Sequence, residues 1–173
     1  MWFFRNWFKR KVKAEIPSAP ALEPVNTEQK AQPAQPVAEP ELAKREQTVL
    51  VVDDSRTQLA SMCRTLEAVG FDTLTAMDGK EGIITARKNL PHAIVMDIIM
   101  PEVNGFKATR YLTHHEDTRH IPIVIVSGSD QDSDRVWGLK LGAREFLRKP
   151  VSSAELVTVV NRMLEKADTS LSA

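Results

Sequence analysis

The side chains of this 173-residue chain best suited to hold a divalent cation and a phosphoryl group are the carboxylates of Asp53, Asp54 and Asp97, the hydroxyl of Ser127 and the ammonium of Lys149. They fall in "VLVVDDS", "AIVMDIIMP", "IPIVIVSGS" and "FLRKP", each at the C-terminal end of a short apolar run rich in Val and Ile or closed by Phe and Leu. In a parallel sheet such strand ends open onto one edge, so the five groups should meet in one pocket. Asp97 is a candidate nucleophile for phosphoryl transfer, because a carboxylate accepts phosphorus without needing a base. Three carboxylates within about 5 Å repel by roughly 3 kcal/mol per pair at an effective dielectric of ~20. Crowding of that kind goes with a raised pKa or a bound cation. Mg²⁺, a small hard ion that takes oxygen ligands and keeps several waters, fits the set.

Each residue also has an ordinary reading of its own. Asp97 could cap a turn or helix, and one acid of the pair could cap a helix starting near Ser55. Ser127 is an unremarked serine at a strand end, and a lone lysine is usually solvated. The joint occurrence, after strands one, three, four and five in that order, is what separates the chemical reading from these. In that setting Ser127 can donate to a phosphoryl oxygen, and Lys149 can neutralise the group as a point charge. Pro150 makes the Lys149–Pro150 bond a candidate cis peptide that fixes a tight turn.

The elements that must position these groups are legible as period-2 and period-3.6 patterns. Strands are expected at 48–52, 72–76, 93–97, 122–126 and 144–148, and helices near 55–69, 79–89, 104–114, 132–141 and 152–166. Gly70 and Gly142 stand where helix C-caps belong. Ser152 with Glu155 matches a capping box opening the last helix. Five alternations imply an α/β domain, a doubly wound parallel sheet with helices on both faces.

The chain divides into an aromatic, basic N-terminal peptide (1–13), a linker (14–46), the α/β domain (47–167) and a short flexible tail (168–173). Six of the ten prolines lie in the linker, which has no apolar period and is expected to be disordered. The formal net charge is zero, so the whole chain does not look like a nucleic-acid binder. The one cysteine, Cys63, precludes an internal disulfide and sits among apolar residues, where a buried small hydrophobe is expected. A reducing cytoplasm fits this. No apolar run reaches the ~18–20 residues of a membrane span.

With "VVDDS", "MDIIMPEVNGF", "VSGS" and "FLRKP" in this order and spacing, residues 48–166 resemble the response-regulator receiver family. The resemblance implies a flavodoxin-like fold of strand order 2-1-3-4-5. It implies that Asp97 accepts a phosphoryl group from a sensor histidine kinase, and that Asp53, Asp54, Asp97 and the backbone carbonyl of Ile99 hold Mg²⁺. Ser127 and Lys149 would contact the phosphoryl oxygens. Phe146 stands where the family has an aromatic switch residue that moves inward together with Ser127, changing the surface of the fourth helix, fifth strand and fifth helix for a downstream partner. The alternative for Phe146 is core packing. Ile99 and Ser129 occupy positions that tune hydrolysis, and Ile99 cannot orient an attacking water, so slow self-dephosphorylation is expected. No second domain is expected after residue 166, as in stand-alone receivers. "VWGLKLGAREFLRKP" is similar to single-domain receivers of chemotaxis-like systems that control twitching by type IV pili, which would make the kinase one of the CheA type. Trp137 in that stretch is either an exposed docking residue or a core filler.

On a helix, Phe3, Phe4, Trp7 and Phe8 of the N-terminal peptide would share one broad face opposite Arg5, Lys9 and Lys13, with Trp2 outside it. Such a peptide suits an anionic surface such as the inner membrane, or a groove on a docking protein. Two other functional readings stand beside the receiver: a scaffold that works without phosphorylation, and a haloacid dehalogenase-type phosphohydrolase. The second needs an acid two residues after its nucleophile, where this chain has Ile99.

Overall fold

The computed structural model describes residues 47–129 and 131–171, with side chains as far as 167. The expectations for residues 1–13 and 14–46 lie outside the described residues. The order is β1 (Thr48–Val52), α1 (Arg56–Glu67), β2 (Asp72–Ala76), α2 (Gly79–Asn89), β3 (Ala93–Asp97), α3 (Gly105–His114), β4 (Ile123–Ser127), α4 (Asp132–Lys140), β5 (Glu145–Arg148) and α5 (Ser153–Leu171). The strands form one parallel sheet in the order β2-β1-β3-β4-β5. This is the expected doubly wound flavodoxin-like arrangement, with β3 at its centre and β1 between β2 and β3.

Alternation along β1 builds the core on both faces, because successive side chains of a strand point to opposite sides. Val49 and Val51 pack with Leu59 and Leu66 of α1 and with Leu156 and Val160 of α5. Leu50 and Val52 pack with Ala86 of α2 and with Ala108 and Leu112 of α3. These four β1 residues are buried, as are all five positions of β3 and β4, whose sequences are apolar up to the closing Asp97 and Ser127. Ile98, Ile125 and Ala143 form a smaller third cluster, joined by Phe106 and Phe146. Cys63 is buried, and burial pushes its thiol pKa up.

The helix ends follow the local chemistry. Ser55, Asp78 and Asn104 cap α1, α2 and α3, each accepting from a backbone N–H three residues on. Ser55, not Asp53 or Asp54, is the cap of α1. Ser152 accepts from Glu155 N at 3.2 Å, opening α5 as expected. Gly70 and Gly142 have φ of 94° and 97° and close paired reverse bonds, Phe71 N to Leu66 O and Gly70 N to Glu67 O at the first, Ala143 N to Gly138 O and Gly142 N to Leu139 O at the second.

The bounds of β4, β5 and α5 differ from the sequence reading. β4 begins at Ile123, since Pro122 has no N–H for the ladder, and it ends on Ser127, which pairs with Arg148 of β5. β5 begins at Glu145, although Arg144 N still bonds to Ile123 O. The α5 backbone continues to Leu171, past the expected end at 166 and into the segment read as a tail.

Candidate functional site

The C-terminal ends of β1, β3, β4 and β5 lie along one sheet edge, and the first three deliver buried polar groups into an apolar interior: Asp53, Asp97 and Ser127. Asp53 follows the last residue of β1, where its backbone N–H bonds to Ala76 O of β2 and its Oδ1 accepts from Ser55 N at 2.9 Å. Asp97 closes β3. One carboxylate oxygen from each of Asp53, Asp54 and Asp97 lies within 4.8 Å of the others. Asp54 is exposed, so the cluster is buried on one side and open to water on the other.

Lys149 reaches into this cluster from the residue after β5. Its Nζ is 2.8 Å from Asp53 Oδ2 and 2.7 Å from Asp97 Oδ1. Desolvation pulls the Lys149 pKa down, but the hydrogen bonds and charges of Asp53 and Asp97 outweigh it and leave the ammonium more strongly held than usual. For Asp97 burial dominates. It raises the carboxyl pKa, Lys149 opposes it, and the charges of Asp53 and Asp97's other neighbour Asp54 add to it. One ammonium against three carboxylates leaves a deficit of positive charge. A donor set of hard oxygens, half buried and half solvated, fits a small hard cation that retains waters.

Ser127 is fully buried at the end of β4, next in sequence to Val126, the register partner of Asp97. Lys149 N donates to Ser127 O at 2.7 Å, tying the ends of β4 and β5 together. Ser129 N donates to Ser127 Oγ at 3.0 Å, so the hydroxyl accepts there and keeps its own hydrogen for another partner. The Lys149–Pro150 bond is cis.

Two sequence-selected residues are placed without their roles being fixed. Ile99 lies in the loop after β3 with its side chain 65% exposed, offering the pocket no side-chain polar group. Phe146 is half buried against Ile98, Ile125 and Phe106. Trp137 resolves toward exposure, 59% accessible on α4 beside exposed Val136. The aromatic residues Trp2, Phe3, Phe4, Trp7 and Phe8 lie outside the described residues.

The sequence reading missed two glycines that shape the Asp97 loop. A Cβ at Gly105 would stand 1.9 Å from the Asp97 carbonyl oxygen, and Gly105 N bonds to Ile98 O at 3.0 Å. A Cβ at Gly79 would stand 2.2 Å from Val103 O, which accepts from Gly79 N at 3.1 Å. The loop from Ile98 to Asn104 is thus held at both ends by close backbone contacts. The only trace in sequence is a glycine near each helix start, at "DGK" and "NGF".

Comparison with known proteins agrees with this geometry. A family model described as the response regulator receiver domain matches residues 49–161. Protein PilH of Pseudomonas aeruginosa is 43% identical over 116 residues, covering 67% of this chain and 96% of PilH. Response regulator PleD of Caulobacter vibrioides is 36% identical over 115 residues, covering 66% of this chain and 25% of PleD. The crystal structure of a CheY-like receiver domain protein from Methanospirillum hungatei matches with a TM-score of 0.68 at 22% identity, over 72% of this chain and 98% of that one, a likeness of fold.

Proposed function

The chain belongs to the response regulator receiver domain family, and on that premise we propose that it is a phosphorylation-controlled signalling protein with Asp97 as its phosphoacceptor. The observation that carries this is the Lys149 ammonium lodged between Asp53 and Asp97 at the open edge of the sheet. In the proposed reaction an Asp97 carboxylate oxygen bonds to phosphorus as the P–N bond of a kinase phosphohistidine breaks, and the electron pair stays on the imidazole nitrogen. Asp53, Asp54, Asp97 and the Ile99 carbonyl would hold Mg²⁺, which supplies charge neutralisation for the transferring group. Lys149 then has a phosphoryl oxygen to bind in place of a carboxylate, and the Ser127 hydroxyl has an acceptor for its free hydrogen.

The new contacts draw the loops after β4 and β5 toward Asp97. Phe146, already packed against Ile125 and Phe106, can move into the space they vacate, which changes the surface of α4, β5 and α5 for a downstream protein. The likeness to PilH over nearly its whole length supports a place in chemotaxis-like control of motility, with a kinase of the CheA type. Residues 1–13, aromatic and basic, are proposed to anchor the domain at an anionic membrane surface. The described residues contain no helix long and apolar enough to cross a membrane. The phosphohydrolase reading lacks its second acid, since Ile99 occupies that position with an exposed aliphatic side chain.

Intact mass spectrometry after incubation with acetyl phosphate and Mg²⁺ tests the proposal. One added phosphoryl group is expected on the wild type and none on Asp97→Asn; equal labelling of both would rule out Asp97 as the acceptor, and no label on either would leave the scaffold reading. Once the donor is removed the label should persist, because Ile99 presents nothing to align water. Rapid spontaneous loss would show that reading of Ile99 to be wrong.

A further inference from the structure

Away from the acidic pocket, the outer side of α3 gathers a second set of cationic and aromatic groups. Lys107, Arg110, Tyr111, His114 and His115 line an open groove of about 490 Å³. That volume is in the range of sites for small organic ligands. The Lys107 and Arg110 side chains form no ion pair or hydrogen bond among the described residues. They stand three apart on the helix, so two like charges are neighbours on one face. Arg87 of α2 adds a third cation at the rim, donating to Tyr111 Oη at 3.3 Å.

The other feature is aromatic. The rings of Tyr111 and His115 stack with centroids 5.5 Å apart and planes inclined by 29°. Tyr111 is 40% exposed. His115 Nδ1 is 3.5 Å from Asp117 Oδ2. His114 Nδ1 lies 2.8 Å from the Arg110 carbonyl oxygen, which calls for the hydrogen on Nδ1 and leaves Nε2 as the ring's remaining polar atom.

Unpaired cations recognise phosphate, and an aromatic surface recognises the flat face of a base. We propose that this groove binds a nucleotide, with its phosphates on Lys107 and Arg110 and its base against the Tyr111–His115 pair. A bare polyanion would use the cations but have no use for the rings. The groove lies on the exposed side of the helix whose buried side, Ala108 and Leu112, packs in the core. It is therefore separate from Asp97 and its neighbours.

Calorimetric titration of the full chain with ATP in EDTA, and with tripolyphosphate as the base-free comparator, decides the matter. Saturable one-to-one binding of ATP is expected, about tenfold tighter than tripolyphosphate, the increment a stacked base supplies. Tyr111→Ala should bring ATP down to the tripolyphosphate level. Lys107→Ala with Arg110→Ala should weaken both ligands tenfold or more, while Asp97→Asn binds like the wild type. If the double variant melts differently, Arg110→Gln alone replaces it. The proposal is overturned by absence of saturable ATP binding, by equal affinity for ATP and tripolyphosphate in the wild type, or by charge variants that bind undiminished.

Discussion

Asp97 is kept where its ionised form is disfavoured, because burial outweighs the help it receives from Lys149. Its folded pKa is raised, so the folded state binds the proton more tightly than the unfolded state. The associated stability is present below the ordinary value of 3.8 and is lost as pH rises through the folded value. At neutral pH the free carboxylate therefore costs stability. In metal-free buffer at pH 7, Asp97→Asn is expected to melt a few degrees above the wild type, with the gap closing on acidification, as differential scanning calorimetry can record. Lys149 behaves in the opposite sense. Its raised pKa gives a contribution present through neutrality and lost only as pH climbs through a folded value above 10.5. The residue types of this site were legible in sequence because each closes an apolar run. That Lys149 divides itself between two carboxylates was not, since it depends on distances between the ends of separate strands.

Among the elements, β1, β3 and α2 fall where their sequence patterns put them, and for definite reasons. Consecutive buried Val, Leu and Ile mark central strands, and Asp78 with Glu81 marks the start of α2, where Glu81 N donates to Asp78 Oδ1 at 2.8 Å. The start of β4 was misjudged because an apolar run counts Pro122 as a strand residue, whereas the ladder asks for an N–H. The two glycines of the Asp97 loop were overlooked for another reason: a close approach of backbone to backbone leaves no periodic trace. They can be tested. Gly105→Ala places a methyl group against the Asp97 carbonyl and should cost about 1–3 kcal/mol in urea unfolding, along with slower labelling by acetyl phosphate. Gly128→Ala meets nothing within 4 Å and should stay within about 0.5 kcal/mol of the wild type.

At the scale of the molecule, the buried clusters among the described residues run from Val49 to Leu164. If residues 1–13 act as a separate anchor, as proposed, a chain lacking them should keep its melting temperature. It should also lose the co-sedimentation with phosphatidylglycerol vesicles expected of the full chain; if both chains sediment alike, the proposed anchoring role of Trp2, Phe3, Phe4, Trp7 and Phe8 is wrong. Proline content and apolar periodicity put a linker at 14–46 ahead of a folded domain, but no pattern in the N-terminal peptide names the surface it meets. The alternation of β1 has a last implication. With Val49 and Val51 facing one way and Leu50 and Val52 the other, a single strand is sewn into both halves of the interior. Neither half can melt while the other stays solid, so unfolding should be all-or-none. If Asp97 is phosphorylated as proposed, the signal should travel as a shift of loops over a rigid body, not as the loosening of one side.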